Sequence, residues 1–473
     1  MGHGASMVPQ PVRPDIRAPP LYNARFGRPP ATTMNHSHQQ HRERRSRLIS
    51  EMRAHGGGLA AVPTAPEAIR NADTHFPFRP DSYFHYVSGF PEPDAVLVLV
   101  AGNDAGDSRQ MLFCRDKNAE REIWDGFRYG PDAAREIFGF DEAYSILELD
   151  QRLADLCVDR SAVYTPLGLY PSWDKTITDT LNEVRSRVRT GIAAPERIVD
   201  VRVPLAAMRL RKDEGELALL RRAAEISSGA HRRAMERTRA GWYEYQVEAE
   251  LLHEFLRSGA QAVAYPSIVA SGPNACVLHY RDNDRQTQAN DLLLIDAGCE
   301  YQSYASDITR TFPVSGTFSG PQKDVYELVL SAQLACIDAV KPGRAFHDYH
   351  EVAERMLAQG LIDLGLCQGT LDAVLESGAY RQFYMHRAGH WLGLDVHDVG
   401  LYRVDGESRR LESGMVLTVE PGCYIRPADN VPEAFWDIGV RIEDDVLVTA
   451  DGNENLTGGT PKAVAEIEAV MRH

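Results

Sequence analysis

Five side chains that can bind metal ions are spread through the second half of the chain, within or beside short apolar runs. They are Asp296 in LLLIDAG, Asp307 in SDITRTF, His390 in HWLGLDVHD, Glu420 in TVEPG and Glu443 in RIEDD. Carboxylates brought together repel one another and resist ionisation, so such a cluster requires cations. A carboxylate-rich set with one imidazole suits ions such as Mn²⁺. The pattern predicts a fold that gathers these groups around two metal ions, an arrangement typical of hydrolases.

A single carboxylate in a sequence is more often a solvated or salt-bridged surface group. That interpretation weakens inside an apolar strand, because ionised groups are rarely buried without a partner. Asp296 directly follows Leu-Leu-Leu-Ile, and Glu420 follows Val-Leu-Thr-Val. The metal-centre hypothesis therefore rests on the set and not on any one member.

Composition excludes several classes of protein. The chain has 473 residues, which predicts two or three domains. Its formal charge of −16 argues against a nucleic-acid partner, and no apolar run is long enough to suggest a membrane span. Seven cysteines are scattered without CxxC spacing, a usage typical of reduced thiols in a cytoplasmic protein.

The chain divides into three predicted regions. Residues 1–45, rich in Pro, Arg and His, are predicted to be a disordered tail, although their arginines also leave a transit peptide open. Residues 46–208 alternate strand patterns such as AVLVLVAG with helix patterns such as DKTITDTLNEVRSRV, which indicates an α/β domain. A long amphipathic helix beginning near residue 208 opens the third region, 209–473, which mixes helices with antiparallel strands.

The strands of the third region are predicted to carry the acidic residues. DLLLIDAG and SDITRTFPV are predicted to form a hairpin across CEYQSYA, with Asp296 and Asp307 on the same side of the sheet. MVLTVEPGCYI and VRIEDDVLVT are each predicted to be a strand that carries one glutamate. Ligands on strands are held stiffly, as a catalytic metal pair requires.

These motifs carry a family resemblance. SIVASGPNACVLHYRDND, LLLIDAGCEYQSYASDITRTFPVSG, HWLGLDVHDVG, GMVLTVEPGCYI and GVRIEDDVLVT closely resemble the aminopeptidase P (Xaa-Pro aminopeptidase) family. NADTHFPFRPDSYFHYVSGFPEPDAVLVLV and REIWDGFRYG resemble the small domain of its bacterial-type members. The resemblance implies an α/β N-terminal domain followed by an α+β catalytic domain with the pita-bread (creatinase/aminopeptidase) fold. It also implies an exopeptidase that releases the N-terminal residue from peptides with proline second, using a hydroxide shared by two divalent metals, in particular Mn²⁺.

The resemblance also assigns roles to the five metal-binding candidates. Asp296 would chelate one metal, and Asp307 and Glu443 would bridge both. His390 and Glu420 would hold the second metal. By analogy Glu420 would also accept a proton from the attacking water as a general base.

Four further residues match family positions that line or support the active site. His279, His386 and His397 would assist catalysis, by donating to the developing oxyanion or moving a proton to the leaving nitrogen. His386 lies four residues before His390, on the same face if that segment is helical. Arg441 resembles an arginine that supports the ligands. The alternatives are structural or exposed histidines and, for Arg441, a surface salt bridge.

An X-Pro bond is a tertiary amide without an N–H, so a site selective for it needs an apolar wall for the proline ring. Tyr424 and Trp124 are the candidate wall residues. Trp124 could reach a pocket only across a domain or subunit boundary. The family's oligomers place a neighbour's tryptophan in the site, which implies a homo-oligomer (dimer or tetramer), and a core tryptophan is the alternative. Arg387 stands where relatives usually carry glycine, which adds bulk and charge beside the pocket and leaves the ligands intact.

Two other functions remain open from the sequence. A prolidase would use the same metals to cleave only Xaa-Pro dipeptides, but the VLHYRDND and DVHDVG motifs and the small domain favour the aminopeptidase. A non-catalytic pita-bread module that binds peptides or histones would have lost the metal ligands. All five are retained here, which argues against such a module.

Overall fold

The structure is a computed structural model that describes residues 31–102 and 105–472. Up to Leu210 it alternates helices and strands. The helices are α1 (Ala31–Ala54), α2 (Ser82–Ser88), α3 (Ala119–Asp125), α4 (Gly130–Phe138), α5 (Leu149–Cys157), α6 (Pro171–Ser186) and α7 (Arg202–Leu210). The strands are β1 (Gly58–Pro63), β2 (Ile69–Asn71), β3 (Thr74–His75), β4 (Val96–Ala101), β5 (Arg109–Cys114), β6 (Glu142–Ser145), β7 (Ala162–Thr165) and β8 (Arg197–Asp200).

Six of these strands form one mixed sheet with the order β6-β5-β4-β1-β7-β8. Every residue of β4, the predicted strand VLVLVA, is buried. Leu97 and Leu99 pack into the apolar cluster on one face of the sheet, and Val98 and Val100 pack into the cluster on the other. Both faces are covered, which explains the continuous apolar run. The α/β character predicted for this region is thus present.

The prediction of a disordered tail is wrong for residues 31–45, because α1 includes them. The side chain of Arg45 is fully buried and donates hydrogen bonds to Gln110 Oε1 at 2.6 Å and to the carbonyl oxygens of Val87 and Phe138 at 3.1 Å. Polar residues that have no apolar periodicity are thus ordered by partners distant in the chain. The remainder of the predicted tail, residues 1–30, lies outside the described residues.

The rest of the chain has helices packed around several small sheets. Its helices are α8 (Glu214–Arg237), α9 (Glu244–Arg257), α10 (Gly320–Ala339), α11 (Asp348–Asp363), α12 (Leu371–Ser377) and α13 (Val464–Val470). Its strands are β9 (Ala262–Val263), β10 (Ile268–Ser271), β11 (Leu292–Asp296), β12 (Cys299–Tyr301), β13 (Tyr304–Ala305), β14 (Thr309–Pro313), β15 (Arg403–Val404), β16 (Glu407–Ser408), β17 (Val416–Val419), β18 (Gly422–Ile425), β19 (Ile438–Arg441), β20 (Asp444–Val448) and β21 (Asn453–Asn455).

The predicted long helix is α8, which starts with a capping box between Asp213 and Glu216. The strands around it pair antiparallel in the orders β10-β11-β14, β13-β12-β9, β17-β20-β21 and β18-β19. Helices segregated from antiparallel sheets make this region α+β, as predicted. No helix within residues 31–102 or 105–472 combines the length and the apolar character needed to cross a membrane.

One apolar cluster joins the two parts of the molecule. It contains Leu97 from the N-terminal sheet together with Tyr304, Leu392 and Val416 from the second part. The boundary predicted near residue 208 falls inside α7 and remains a prediction. The shared cluster means that the second part is packed directly against the first.

Candidate metal centre

Two antiparallel strands bring the aspartates of the site together. β11 ends at Asp296, which lies opposite Thr309 in β14, two residues after Asp307. The chain between them does not form the single turn that was predicted, since β12 and β13 make a second hairpin that belongs to another sheet. A Cβ atom on Gly298 would lie 1.7 Å from the carbonyl oxygen of Ser306, so only glycine permits this close crossing. The crossing places Asp296 and Asp307 side by side.

The two glutamates lie at breaks between strands. Glu420 separates β17 from β18, and Glu443 separates β19 from β20, whereas each stretch was predicted to be one strand. Pro421 has no N–H to continue the ladder after Glu420. β17 pairs with β20 and β18 pairs with β19, so the chain changes sheet at both glutamates. These breaks free both side chains to turn toward the aspartates.

Three of the five predicted ligands lie close together, and Glu420 is joined to them through His390. Ligand atoms of Asp307, His390 and Glu443 all lie within 4.8 Å of each other. His390 Nε2 is 3.4 Å from Asp307 Oδ2 and 3.6 Å from Glu420 Oε1. His390 Nδ1 is hydrogen-bonded to the carbonyl oxygen of Trp391 at 2.9 Å, which directs Nε2 to the carboxylates.

The fifth predicted ligand, Asp296, is joined to this group through Tyr265. The Tyr265 hydroxyl donates to Asp296 Oδ1 at 2.6 Å and is also hydrogen-bonded to Asp307 Oδ1. Arg441 Nη2 donates to the other oxygen, Asp296 Oδ2, at 2.7 Å. Asp296 therefore lies at the edge of the cluster, next to the cation of Arg441.

The cluster has a deficit of positive charge. Burial raises the pKa of Glu443 well above its usual value, and the carboxylates of Asp307 and Glu420 raise it further. Burial likewise raises the pKa of Glu420 to about 7. Burial disfavours a charged His390, yet the hydrogen bond to Asp307 and the charge of Glu420 outweigh it and raise the pKa of His390 to about 9.

This donor set fits divalent cations. Within residues 31–102 and 105–472, no lysine or arginine forms an ion pair with Asp307, Glu420 or Glu443. Oxygen ligands with one imidazole are the donors that hard or borderline divalent ions prefer. Cations would therefore provide the charge that the protein does not provide here.

Arg441 links the cluster to a buried polar network. It is 4% exposed, which excludes the surface salt bridge left open by the sequence. Its Nη1 donates to the Tyr424 hydroxyl at 2.9 Å, and that hydroxyl is 2.8 Å from His386 Nε2. Burial lowers the pKa of His386 to about 4, and the charge of Arg441 adds to the effect. The segment 383–402 is not helical, so His386 and His390 do not share a helix face as considered.

The other two candidate histidines are exposed beside the cluster. The ring centroids of His397 and His390 are 4.2 Å apart in an edge-to-face arrangement. Burial lowers the pKa of His397, and the charges of His390 and His279 lower it further. The fold therefore brings His279 and His397 to the accessible side of the carboxylates.

Trp124 lies apart from this group, on α3. Its side chain is 80% exposed and that of Ile123 is 81% exposed, so the core position considered for Trp124 is wrong. Arg387 is also exposed, and its carbonyl oxygen is hydrogen-bonded to His386 Nδ1 at 2.7 Å.

Three hydroxyl groups of the site were not predicted. Thr309 Oγ1 donates to Glu443 Oε2 at 2.6 Å, and Thr418 Oγ1 donates to Glu420 Oε1 at 3.3 Å. Each threonine is two residues from a predicted ligand, and the alternation of side chains along a strand could have revealed them. Tyr265 gave no comparable signal, because it lies between strands and its partners come from distant segments of the chain.

Replacing Tyr265 with phenylalanine is expected to weaken metal binding by about ten- to a hundredfold, because partners that orient ligands have effects of this size. Competition with a chelator of known affinity measures the change. Tyr245→Phe, which alters an exposed tyrosine, is the control and should bind metal as the wild type does. Equal affinity in both variants would contradict a supporting role for the Tyr265 hydroxyl.

Known protein families match nearly the whole chain. Residues 218–450 match the family model described as metallopeptidase family M24, and residues 41–164 match that of the aminopeptidase P N-terminal domain. The second match starts inside α1, in agreement with the order seen there.

Individual relatives match over similar lengths. The Xaa-Pro aminopeptidase of Escherichia coli (strain K12) is 45% identical over 92% of this chain and 98% of its own. Human Xaa-Pro aminopeptidase 3 is 32% identical over 98% of this chain and 92% of its own. The solved structure of Pseudomonas aeruginosa aminopeptidase PepP superposes with a TM-score of 0.89 at 49% identity, covering 92% of this chain and 98% of that one. A zinc-substituted E. coli aminopeptidase P in complex with product gives a TM-score of 0.88 at 44% identity, with the same coverage.

Proposed function

Because this chain belongs to the Xaa-Pro aminopeptidases of metallopeptidase family M24, we propose that it releases the N-terminal residue from peptides with proline in the second position. One observation carries the proposal. Asp307, Glu420 and Glu443 form a carboxylate cluster, and within the described residues none of them pairs with a lysine or an arginine. Retention of all five ligand candidates argues against a non-catalytic module of the same fold.

We propose two divalent ions per chain, with Mn²⁺ the preferred metal. Asp296 would hold one ion, His390 and Glu420 the other, and Asp307 and Glu443 both. The two ions when bound supply a Lewis acid for the peptide carbonyl and lower the pKa of water. The donors support this proposal, because carboxylates with one imidazole suit Mn²⁺, whereas a thiolate site would suit softer ions such as Zn²⁺.

The protein's own groups would handle protons. Glu420, next to His390 at 3.6 Å, would accept a proton from the attacking water as a general base. His279 and His397, on the accessible side, would donate hydrogen bonds to the carbonyl oxygen or to the leaving nitrogen. Arg441 would hold Asp296 in place, and the Tyr424 hydroxyl would orient His386.

Selectivity for proline would come from the pocket that receives its ring. Trp124 is the proposed wall residue, whereas Tyr424, the other predicted one, is 1% exposed and so does not offer its ring to a substrate. Trp124, with Ile123 beside it, is exposed on α3 and so would act on the site of a neighbouring subunit in a homo-oligomer, a dimer or tetramer.

The cytoplasm is the proposed compartment, because all seven cysteines are free and buried, as expected in a reducing environment.

Tripeptides Xaa-Pro-Xaa are expected to be cleaved at the Xaa-Pro bond with a kcat/KM at least about tenfold above that of the Xaa-Pro dipeptide, a difference of about 1.4 kcal/mol in transition-state binding. Release of the first residue from both peptides, assayed side by side, measures this ratio. An Xaa-Ala-Xaa peptide is the control for proline selectivity. Preference for the dipeptide would establish a prolidase instead, and absence of cleavage in any peptide would refute the enzyme assignment.

A further inference from the structure

The segment from His390 to Asp398 forms a closed loop that carries two of the site's histidines. The backbone N–H of Asp398 donates to the carbonyl oxygen of Trp391 at 2.9 Å and closes the loop. Leu392 and Leu394 are buried in the apolar cluster shared with the N-terminal part. On its other side, the His397 ring lies against the His390 ring at 4.2 Å. The position of His397 therefore depends on how this loop is held.

A buried group of charges holds the loop. The side chains of Asp398, Lys212 and Arg209 are each 1% exposed. Arg209 Nη2 donates to Asp398 Oδ1 at 2.5 Å, and Lys212 Nζ donates to Asp398 Oδ2 at 3.0 Å. The same Arg209 nitrogen donates to Asp395 Oδ2 at 2.8 Å. Each carboxylate oxygen of Asp398 is thus held by a different cation from the segment before α8.

The surroundings allow little movement. A Cβ atom on Gly393 would lie 2.2 Å from Asp398 Oδ2 and 3.0 Å from Lys212 Cε, so the loop backbone packs directly on the ion group. From the N-terminal part, Arg79 Nη2 donates to the carbonyl oxygen of Leu394 at 2.6 Å. The loop is therefore fixed from two sides.

A stabilising role alone is a weak explanation for this group. The cost of removing charges from water offsets most of what a buried ion pair contributes, and apolar residues of similar volume often stabilise as well. The arrangement does, however, fix the position of His397, the residue next to Asp398.

We propose that Asp398, held by Lys212 and Arg209, is a positioning residue that keeps His397 oriented toward the metal centre during peptide cleavage. The inference rests on the proposed function and on the part that His397 takes in it. Both carboxylate oxygens of Asp398 are bound by Arg209 and Lys212, and its side chain is buried away from solvent. Its effect on the reaction passes through His397, and this dependence is what distinguishes positioning from general stabilisation.

A double-mutant cycle tests this dependence. Asp398→Asn in the wild-type background is expected to lower kcat by about ten- to a hundredfold, as a small misplacement of a catalytic group can. In the His397→Ala background, Asp398→Asn should lower kcat by less than about twofold, because coupled residues are not additive. Metal content should equal that of the wild type, and hydrogen exchange of the peptide covering 390–400 should become faster.

Asp291→Asn is the matched control, since Asp291 is 8% exposed and pairs with Arg285 at 2.5 Å away from this loop. Its effect on kcat should be the same in both backgrounds. If Asp398→Asn does not fold, Lys212→Met, which leaves Asp398 with Arg209, should show the same dependence on His397. Equal losses from Asp398→Asn with and without His397, or an unimpaired His397→Ala, would overturn the inference. Wild-type protein inactive on Xaa-Pro peptides would instead refute the proposed function.

Discussion

Asp307→Ala is expected to abolish turnover and to release the bound metal. Asp307 is 5% exposed and contacts both Tyr265 and His390, and we propose that it binds both ions. Metal ions contribute several kcal/mol to transition-state stabilisation, so kcat/KM should fall by at least about a thousandfold. Elemental analysis after dialysis and a tripeptide assay measure the two effects.

Once metal is removed, Asp307→Ala should no longer be harmful to the protein, as its melting temperature should show. Buried like charges destabilise a cluster that lacks cations. In excess chelator, Asp307→Ala should therefore melt at the same temperature as the wild type or higher. Asp324→Ala, an exposed position on α10, is the control and should retain metal and activity. Full metal content in Asp307→Ala would contradict its assignment as a shared ligand.

Glu420→Gln is expected to lower kcat by about a hundred- to ten-thousandfold, the range that general base catalysis contributes. Glutamine has nearly the same shape and can still accept the hydrogen bond from Thr418 Oγ1, but it cannot take up a proton at neutral pH. Steady-state kinetics on a tripeptide substrate should show the loss mainly in kcat.

Glu454→Gln provides the control for this variant. Glu454 forms a half-exposed ion pair with Arg221 at 2.7 Å, and such pairs contribute little. Its kinetics should match those of the wild type. A kcat for Glu420→Gln within threefold of the wild-type value would remove Glu420 from the proposed proton transfer.

Local patterns in the sequence sufficed to predict several elements of the fold. The all-apolar run of β4 depends on neighbouring residues, and this strand lies where the sequence predicted it. The long helix predicted to begin near residue 208 is present as α8, but it begins at Glu214 because a separate helix, α7, ends at Leu210. The placement of Asp296 at the end of an apolar strand was likewise a local signal. The long motifs then identified the family, which the matches over most of the chain confirm.

Other features depend on contacts between distant segments. Arg45 looks like part of a disordered tail until its partners, which come from three different parts of the chain, are in place. The changes of sheet at Glu420 and Glu443 follow from how two pairs of strands meet, and no single run encodes that. Tyr265 joins two aspartates through one hydroxyl, a role visible only in three dimensions.

The account rests on acidic side chains meeting around paired cations, and elemental analysis of the purified protein tests it most directly. After removal of adventitious metal, about two divalent ions per chain should remain, manganese restoring peptidase activity after chelation. An active protein that retains no metal would contradict the account.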